Sequence, residues 1–534
     1  MYDYFCDVME SLENRIAYAK SIARDIRKGK INTLRELDQR QFFWCKEHKL
    51  NEVPTRPFVL KQIKNPSKKI IKLLSIKPTR SLSGVQVIAI MLPPFDCPGK
   101  CVYCPTSFSD KSAPKSYTGF EPSAMRGQRL NFDPYKIAQN RIEQLDATGN
   151  NAEKIELIFQ GSSFTVLPKK EQEKVVKRAL EGVMGKRFSS FTKTKKAAET
   201  SKRRVVGTTF ETRPDYCTQK DIEQMLRLGG TRVELGVQNI DDAIYTKIKR
   251  GHTVNDVIDS TARLKDSAFK VLYHLMPGLP GSTYKKDLKN FKEVFTNPKF
   301  KPDMVKFYPC LVIKGTKLYR EWKKGEFTPL NEKKAVKLLA DIKESIPPWV
   351  RIMRVNRDIP SNVISAGIKK TNLRQMVQKE LGVRGEKCNC IRCREIGLND
   401  RKKEDKNKPK LKTTFYDASG GEEAFISFET KNHLYGFLRL RKPAEPFLKQ
   451  ITDRTALIRE LHVYGKSLPL GGKKSLLSQQ HKGYGKLLME EAQKIAKDRF
   501  DANKLVVISG IGVREYYRKN FNYRLEEPFI SKKI

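Results

Sequence analysis

The stretch Val85-Gln-Val-Ile-Ala-Ile-Met-Leu92, followed by Cys97-Pro-Gly-Lys-Cys101-Val-Tyr-Cys104, decides how the chain is read. A strand-like apolar run leads straight into three thiols spaced C-x3-C-x2-C on a short loop. The chain has only 10 cysteines in 534 residues, too few for a disulfide framework, so thiols packed this closely are placed to share one metal centre. Three ligands leave one position open. A tetrahedral zinc needs a fourth protein ligand, whereas a four-iron cluster on three thiolates keeps one iron free for a small molecule.

Downstream of this loop, short apolar runs alternate with amphipathic helical segments. The runs are Val85–Leu92, Ile155–Gln160, Val205–Glu211, Arg232–Gln238, Lys270–Met276 and Met304–Tyr308. Between them, Tyr135, Ala138, Ile142 and Leu145 share one helical face, as do Ile222, Met225 and Leu226. Six β/α repeats predict a parallel sheet that curls into a partial (β/α)6 barrel, because each right-handed crossover stacks its helix on the same outer side. Chemistry in such a barrel gathers at the C-terminal ends of the strands, which is where the cysteine loop falls.

The remaining composition sets the surroundings. Lys+Arg number 105 against 60 Asp+Glu, a formal net charge of +45, which points to a polyanionic partner. No run of about 18 apolar residues occurs, and Asp3, Asp7 and Glu10 stand where a signal peptide carries lysine. The expectation is a cytoplasmic protein without a membrane partner, its cysteines thiols or metal ligands. Residues 1–80 read as a basic helical region ending in an arm. From Pro54 to Arg80 there are eight basic residues, no acidic one, and prolines at 57, 66 and 78, so this stretch is expected to be extended and to contact phosphates. The basic segment Lys186–Arg204 is expected to be a mobile insertion in the barrel of residues 81–370.

Between residues 371 and 412 the β/α rhythm stops, and Cys388-Asn-Cys390-Ile-Arg-Cys393 gives a second cluster. With Cys310, which follows the sixth strand, it makes a four-thiolate set for a structural zinc pinning this linker to the barrel mouth. Residues 413–534 change to antiparallel-looking strands, Glu423–Glu429, His433–Arg441, Ala456–Tyr464 and Leu505–Ser509. Between the last two lies Gln480-His-Lys482-Gly483-Tyr484-Gly485-Lys486, opening a helix whose buried face is Leu488, Ala492 and Ile495. A glycine turn at a helix N-terminus presents backbone N–H groups to phosphate.

These motifs carry resemblances. The cysteine loop resembles that of radical S-adenosylmethionine (SAM) enzymes, and the Q-x-x-G-x-G turn is similar to the acetyl-CoA turn of the GNAT acetyltransferases, which implies a C-terminal α+β GNAT-like domain. Residues 80 to 530 resemble the family of Elongator catalytic subunits through Ser116-Tyr-Thr-Gly-Phe-Glu-Pro, Glu211-Thr-Arg-Pro-Asp-Tyr, Glu234-Leu-Gly-Val-Gln238, Arg250-Gly-His252-Thr, Arg459-Glu-Leu-His-Val-Tyr464 and the pair Tyr516-Tyr517. The resemblance implies a tRNA-modifying enzyme that uses a SAM-derived radical and acetyl-CoA to place a carboxymethyl group on carbon 5 of the wobble uridine. In that reading Cys97, Cys101 and Cys104 hold a [4Fe–4S] cluster, and Gly161, Ser162, Glu211, Gln238 and Arg250 bind SAM. Leu461, His462, Val463, Gln480, Lys482, Gly483, Tyr484, Gly485 and Lys486 bind acetyl-CoA, while Tyr517, with Tyr516 beside it, orients the thioester. The expected partners are a tRNA anticodon stem-loop and an electron donor; a homodimer and Elongator-like accessory subunits stay open. Where the family shows Gly-Gly-Thr-Phe after the second strand, this chain has Gly161-Ser162-Ser163-Phe164. The competing reading is a protein lysine acetyltransferase with a structural iron–sulfur barrel, against which the intact thiol triad argues.

Overall fold

Seven parallel strands carry the larger part of the molecule, here a computed structural model. It describes residues 2–48, 50, 53–54, 56–63, 65–74, 84–105, 113–147, 150, 152–396, 408–464 and 483–534. The sheet runs in the order β1 (Val85–Met91), β2 (Lys154–Gln160), β3 (Arg204–Thr212), β4 (Arg232–Gln238), β5 (Lys270–Leu275), β6 (Met304–Phe307) and β8 (Arg351–Val355). A separate two-stranded sheet pairs β7 (Val312–Ile313), which follows β6, with β9 (Ile364–Ala366), which follows β8. The six expected strands are all present; β8 is an addition. Its sequence Arg351-Ile-Met-Arg-Val lacks an apolar run, because two of its five positions are arginines, of which Arg351 is used inside the fold against Glu395 at 2.7 Å. The result is a curled parallel half-barrel with the cysteine loop at the C-terminal end of β1.

Two helices on the wall are fixed by reciprocal caps. Thr218 and Asp221 cap Gln219–Arg227, and Thr253 and Asp256 cap Val254–Asp266. The basic segment Lys186–Arg204 is not a loose insertion. Ser190 caps a helix, Phe191–Thr200, which buries Phe191, Thr194 and Ala198, and Lys195 Nζ reaches Glu527 at 3.3 Å. Its narrow buried stripe is hidden among lysines, so charge density outweighed periodicity in the sequence.

The second sheet runs β10 (Lys410–Ala418), β11 (Gly421–Glu429), β12 (Leu434–Lys442), β13 (Thr455–Val463), β14 (Lys504–Val507), β16 (Phe529–Lys533), β15 (Arg524–Glu526). All pairs are antiparallel except β13 with β14. The helix Tyr484–Asp498 crosses between those two and packs Leu488, Met489, Ala492, Ile495 and Ala496 against Ile426, Leu438 and Ile458 on one face. The opposite face meets the N-terminal end of the barrel through buried charges. Arg459 makes a two-pronged pair with Asp303, at 2.5 and 2.9 Å. Its neighbours follow: Arg459 to Glu423 at 3.0 Å, Lys265 to Glu423 at 3.2 Å, Arg441 to Asp266 at 2.6 Å and Arg439 to Glu460 at 2.9 Å. Each charge has an opposite charge beside it, the condition under which ions tolerate burial.

The helices Tyr2–Arg27, Leu34–Glu47, Arg56–Lys61 and Lys68–Leu74 belong to a separate compact unit, Met1–Arg80 with Gln139–Glu153. Its core is Tyr18, Ala19, Ile22, Ile26, Leu37, Val59, Leu60, Ile63, Leu73 and Leu74. The expected extended arm is therefore, at Arg56–Lys61 and Lys68–Leu74, two short packed helices, in which Pro57 sits in a first turn where its missing N–H costs nothing; residues 75–80 of that expectation lie outside the described residues.

Candidate functional site

The cysteine loop is held from below. Val102 donates its N–H to Ile248 O at 3.1 Å and accepts from Leu318 N at 2.9 Å, and its side chain is buried with Ile244, Ile248, Met276 and Leu318. This leaves Cys97, Cys101 and Cys104 half-exposed at the mouth. Two arginines flank them. Arg250 donates from Nη1 to Cys101 Sγ at 3.5 Å and from Nη2 to Gly236 O at 2.5 Å. A side chain at Gly236 would meet that guanidinium at 2.7 Å. Arg213 pairs with Asp215 at 2.7 Å, while a Cβ on Gly99 of the loop would collide with Arg213 Nη1. His252, behind them, is pushed down to about 2 by burial and by Arg250 and Arg213, so it is neutral.

Several buried polar atoms at this mouth have no hydrogen-bond partner among the described residues: Ser162 Oγ, Arg213 Nη1, Gln238 Oε1 and Arg250 Nε. Buried polar groups are nearly always paired in a finished fold, so a cluster of orphans on the strand ends fits a polar ligand. The backbone agrees. Gly161, Ser162 and Gln238 have φ of +115°, +67° and +70°, conformations that turn the strand ends sharply inward. Glu211 differs, since it already accepts from Tyr117 Oη and Gln160 Nε2, each at 3.2 Å.

Below the mouth the lumen is a ladder of ions. Lys306 on β6 bridges Glu234, by a very short contact, and Glu211 at 3.9 Å. Glu234 also takes His274 Nε2 at 2.8 Å and Arg232 at 3.3 Å, and Arg232 reaches Glu156 at 2.6 Å. Burial opposes the Lys306 charge, but Glu234, Tyr308 and Glu211 outweigh it and its pKa is raised. The column is thus a set of fixed charges.

At the other site, Gly483 adopts φ +82° and opens the 15-residue helix Tyr484–Asp498. A Cβ on Gly485 would lie 3.1 Å from Tyr516 Oη and 3.8 Å from Val463, so the turn, β13 and the first phenol converge. Leu461, Val463, Tyr484 and Tyr516 are half-buried against this core. Tyr517 is buried within it, against Tyr523 and Phe521, and burial raises its pKa far above the usual phenol range. Lys486 is exposed and pairs with Glu490 at 3.7 Å.

Two family models match consecutive stretches, the radical SAM superfamily over residues 91–293 and the radical SAM C-terminal domain over 302–382. The chain is 49% identical over 492 residues, 90% of its length and 92% of the relative's, to the tRNA uridine(34) acetyltransferase of Methanocaldococcus infernus. It is 39% identical over 506 residues to Elongator complex protein 3 of Saccharomyces cerevisiae, covering 92% of this chain and 90% of that one. The solved structure of the archaeal Methanocaldococcus infernus Elp3 with an N-terminal deletion superposes with a TM-score of 0.75 at 45% identity, over 85% of this chain and 100% of that one. The chain belongs to the Elongator complex protein 3 family of radical SAM proteins.

Membership of the radical SAM superfamily implies a [4Fe–4S] cluster and SAM, and the mouth fits them: three thiols on an anchored loop, flanked by guanidinium groups and unpaired strand-end atoms. Of the residues named from sequence for this end, Gly161, Ser162, Glu211 and Gln238 lie at the C-terminal strand ends, and Arg250, in the loop between the helices Asp242–Lys247 and Val254–Asp266, reaches them with its guanidinium. Arg213 was missed, although it sits inside the quoted string Glu211-Thr-Arg-Pro-Asp-Tyr; only its packing on Gly99 singles it out. At the glycine turn the structure brings together Gly483, Gly485, Val463 and Tyr516, whereas Gln480 and Lys482 lie outside the described residues.

The second thiol set needs a correction. The sulfurs of Cys388, Cys390 and Cys393 lie within 4.8 Å of one another, but Cys310 is elsewhere. It is buried with Val102, Ile248 and Met276 under the cysteine loop, its thiol pushed up to about 12 by burial and then by Asp287. The reason is topological. Cys310 follows β6 at the C-terminal end of the barrel, whereas Ile391 N bonds Val350 O at 2.9 Å, just before β8 begins. The triad therefore sits at the opposite end of the strands, at the floor and not the mouth.

Proposed function

We propose that this protein is a tRNA-modifying enzyme that places a carboxymethyl group on carbon 5 of the wobble uridine, drawing its two carbons from acetyl-CoA and its radical from SAM. What carries the reading is the presence, in one chain related over most of its length to tRNA uridine(34) acetyltransferases, of both a radical SAM mouth and a glycine turn on a β-α-β crossover. Cys97, Cys101 and Cys104 hold the cluster. When bound, the reduced cluster with SAM supplies a carbon-centred radical able to take hydrogen from the acetyl methyl group. The chain's own residues orient and enclose. Ser162, Gln238, Arg213 and Arg250 offer their unpaired atoms to SAM, Glu211 is held beside them by Tyr117 and Gln160, and the Gly161 turn lets the backbone approach. Leu461, His462, Val463, Gly483, Tyr484, Gly485 and Lys486, with Gln480 and Lys482, receive acetyl-CoA, and Tyr516 and Tyr517 stand by the thioester.

Cys388, Cys390 and Cys393 supply three ligands of a structural zinc, in keeping with hydrogen bonds from Cys388 and Cys393 that hold Cys390 well below the usual thiol range. The tRNA anticodon loop, single-stranded, can splay its base into a site of this kind at low cost. No helix among the described residues is long and apolar enough to cross a membrane. The deciding experiment is anaerobic reconstitution with iron, sulfide, a chemical reductant, SAM, acetyl-CoA and unmodified tRNA, followed by mass analysis of the nucleosides. Carboxymethyluridine is the expected product. Acetylated lysine on added protein with unchanged tRNA would establish the competing acetyltransferase instead.

A further inference from the structure

The pairing of β13 with β14 runs from Thr455↔Lys504 to Ile458↔Val507 and ends there. Beyond it β13 continues through Glu460, Leu461, His462 and Val463 paired with β12 only. A register shift at Arg459 turns both Arg459 and Glu460 to the barrel side. From there alternation resumes: Leu461 and Val463 pack toward the Tyr484–Asp498 helix, so His462 faces the barrel. Its ring lies against Tyr464, with centroids 4.4 Å apart, and parallel to Phe437 at 6.1 Å. Its Nε2 is buried and has no hydrogen-bond partner among the described residues. The lumen ladder ends at the same place, since Glu460 stabilises the charges of Lys270 on β5 and Arg232 on β4. The parting opens the β14-side edge of β13 over residues 460–463, with the glycine turn and Tyr516 packed on the Leu461 and Val463 face and His462 on the other face.

We propose that His462 is the general base for hydrolysis of the acyl thioester, taking a proton from a water molecule at this opening. This rests on the reading of the C-terminal domain as the acetyl-CoA site. The water oxygen bonds to the thioester carbonyl carbon as its proton passes to Nε2. The carbon–sulfur bond then breaks, and the departing sulfur recovers that proton from the imidazolium. Acyl-CoA and water give carboxylic acid and free thiol, with no redox partner. Phe437 and Tyr464 fix the ring, and the unpaired nitrogen is the acceptor that the step requires. The groups facing His462 are Glu460, Arg351, Glu395 and Lys270. Burial, Arg351 and Lys270 lower its pKa while Glu460 and Glu395 raise it, with a net fall below 6.5. The base form therefore prevails at neutral pH, and hydrolysis should fall only as pH drops through a value under 6.5.

The test uses the full chain with acetyl-CoA and an unmodified tRNA transcript, following free thiol, and calorimetry with a thioether analogue of acetyl-CoA to measure binding. His462→Ala and His462→Gln are assayed at saturating acetyl-CoA, with the analogue affinity of each measured separately so that loss of binding is distinguished from loss of rate. Both should lose thioester hydrolysis at least about 100-fold, lose the acidic limb of the pH profile, and recover part of the rate with added imidazole in the alanine variant. Unchanged affinity with hydrolysis within threefold of wild type in either variant overturns the proposal. So does loss of hydrolysis in alanine that glutamine restores, since glutamine keeps the shape and not the base. If the wild-type chain does not bind the analogue, the acetyl-CoA reading itself falls, a result distinct from failure of the base.

Discussion

Each end of the barrel carries one cluster of three cysteines, and the two clusters are built on opposite terms. At the mouth, Cys97, Cys101 and Cys104 are half-exposed on a loop, surrounded by buried atoms without partners. At the floor, Cys388, Cys390 and Cys393 draw their sulfurs within 4.8 Å, and the nearby Asp303, Glu423, Arg441 and Arg459 are tied into ion pairs, with Arg439 Nη1, Trp349 Nε1 and His462 Nε2 as exceptions that have no hydrogen-bond partner among the described residues. Unpaired polar groups cost free energy that a ligand can return; paired ones have already been satisfied by the fold. The difference teaches that the mouth is organised to bind and the floor to hold, although a count of cysteines treats the two alike.

The strongest way to break this contrast is to exchange the damage. Cys101→Ser should abolish SAM cleavage to 5′-deoxyadenosine, at least about a thousandfold given that the cofactor carries the chemistry, while zinc content stays as in wild type. Cys390→Ser should do the reverse, leaving the reconstituted iron and its visible absorption intact and lowering zinc. Measuring iron and zinc on both variants decides it; if Cys390→Ser removes iron, the two ends are not independent.

Arg459→Ala tests the floor alone. Removing one partner from a buried, hydrogen-bonded ion set leaves Asp303 and Glu423 short of compensation, and a loss of about 3–5 kcal/mol is expected. Denaturant unfolding followed by signals from each domain should show both destabilised, since the arginine spans them. A loss under about 1 kcal/mol would mean that water replaces the guanidinium and the floor is not a sealed joint.

Much of this architecture was legible in the chain because its signals are local. Apolar runs marked six barrel strands to within about two residues at each end, and the glycine turn marked the crossover helix. What escaped depends on partners distant in sequence. Arg439, Arg441 and Arg459 are fully buried, yet charged residues read as surface until the carboxylates facing them are known. The strand β10 escaped for a similar reason, as Lys410, Leu411 and Lys412 lie exposed near the sheet edge and look like linker. Cys388, Cys390 and Cys393 were assigned to the mouth with Cys310, although they lie at the floor, because chain order does not reveal at which end of a parallel sheet a segment eighty residues later comes to rest.

The smallest and most discriminating prediction concerns Ser162. It holds φ +67°, a region that costs a residue with a Cβ about 1–2 kcal/mol, and its buried hydroxyl has no partner among the described residues. Ser162→Gly relieves both costs, against a loss of about 0.4–1 kcal/mol from the freer unfolded chain. Without SAM the glycine variant should therefore be more stable, by about 1 kcal/mol in denaturant unfolding. With SAM the difference should shrink toward zero. A hydroxyl that donates to the ligand contributes about 0.5–1.5 kcal/mol, so the variant should bind SAM up to about tenfold more weakly by calorimetry on the reconstituted protein. Greater stability with unchanged SAM affinity would make the serine mere strain. Lower stability with unchanged affinity would make it part of the fold, and the mouth would then resemble the floor.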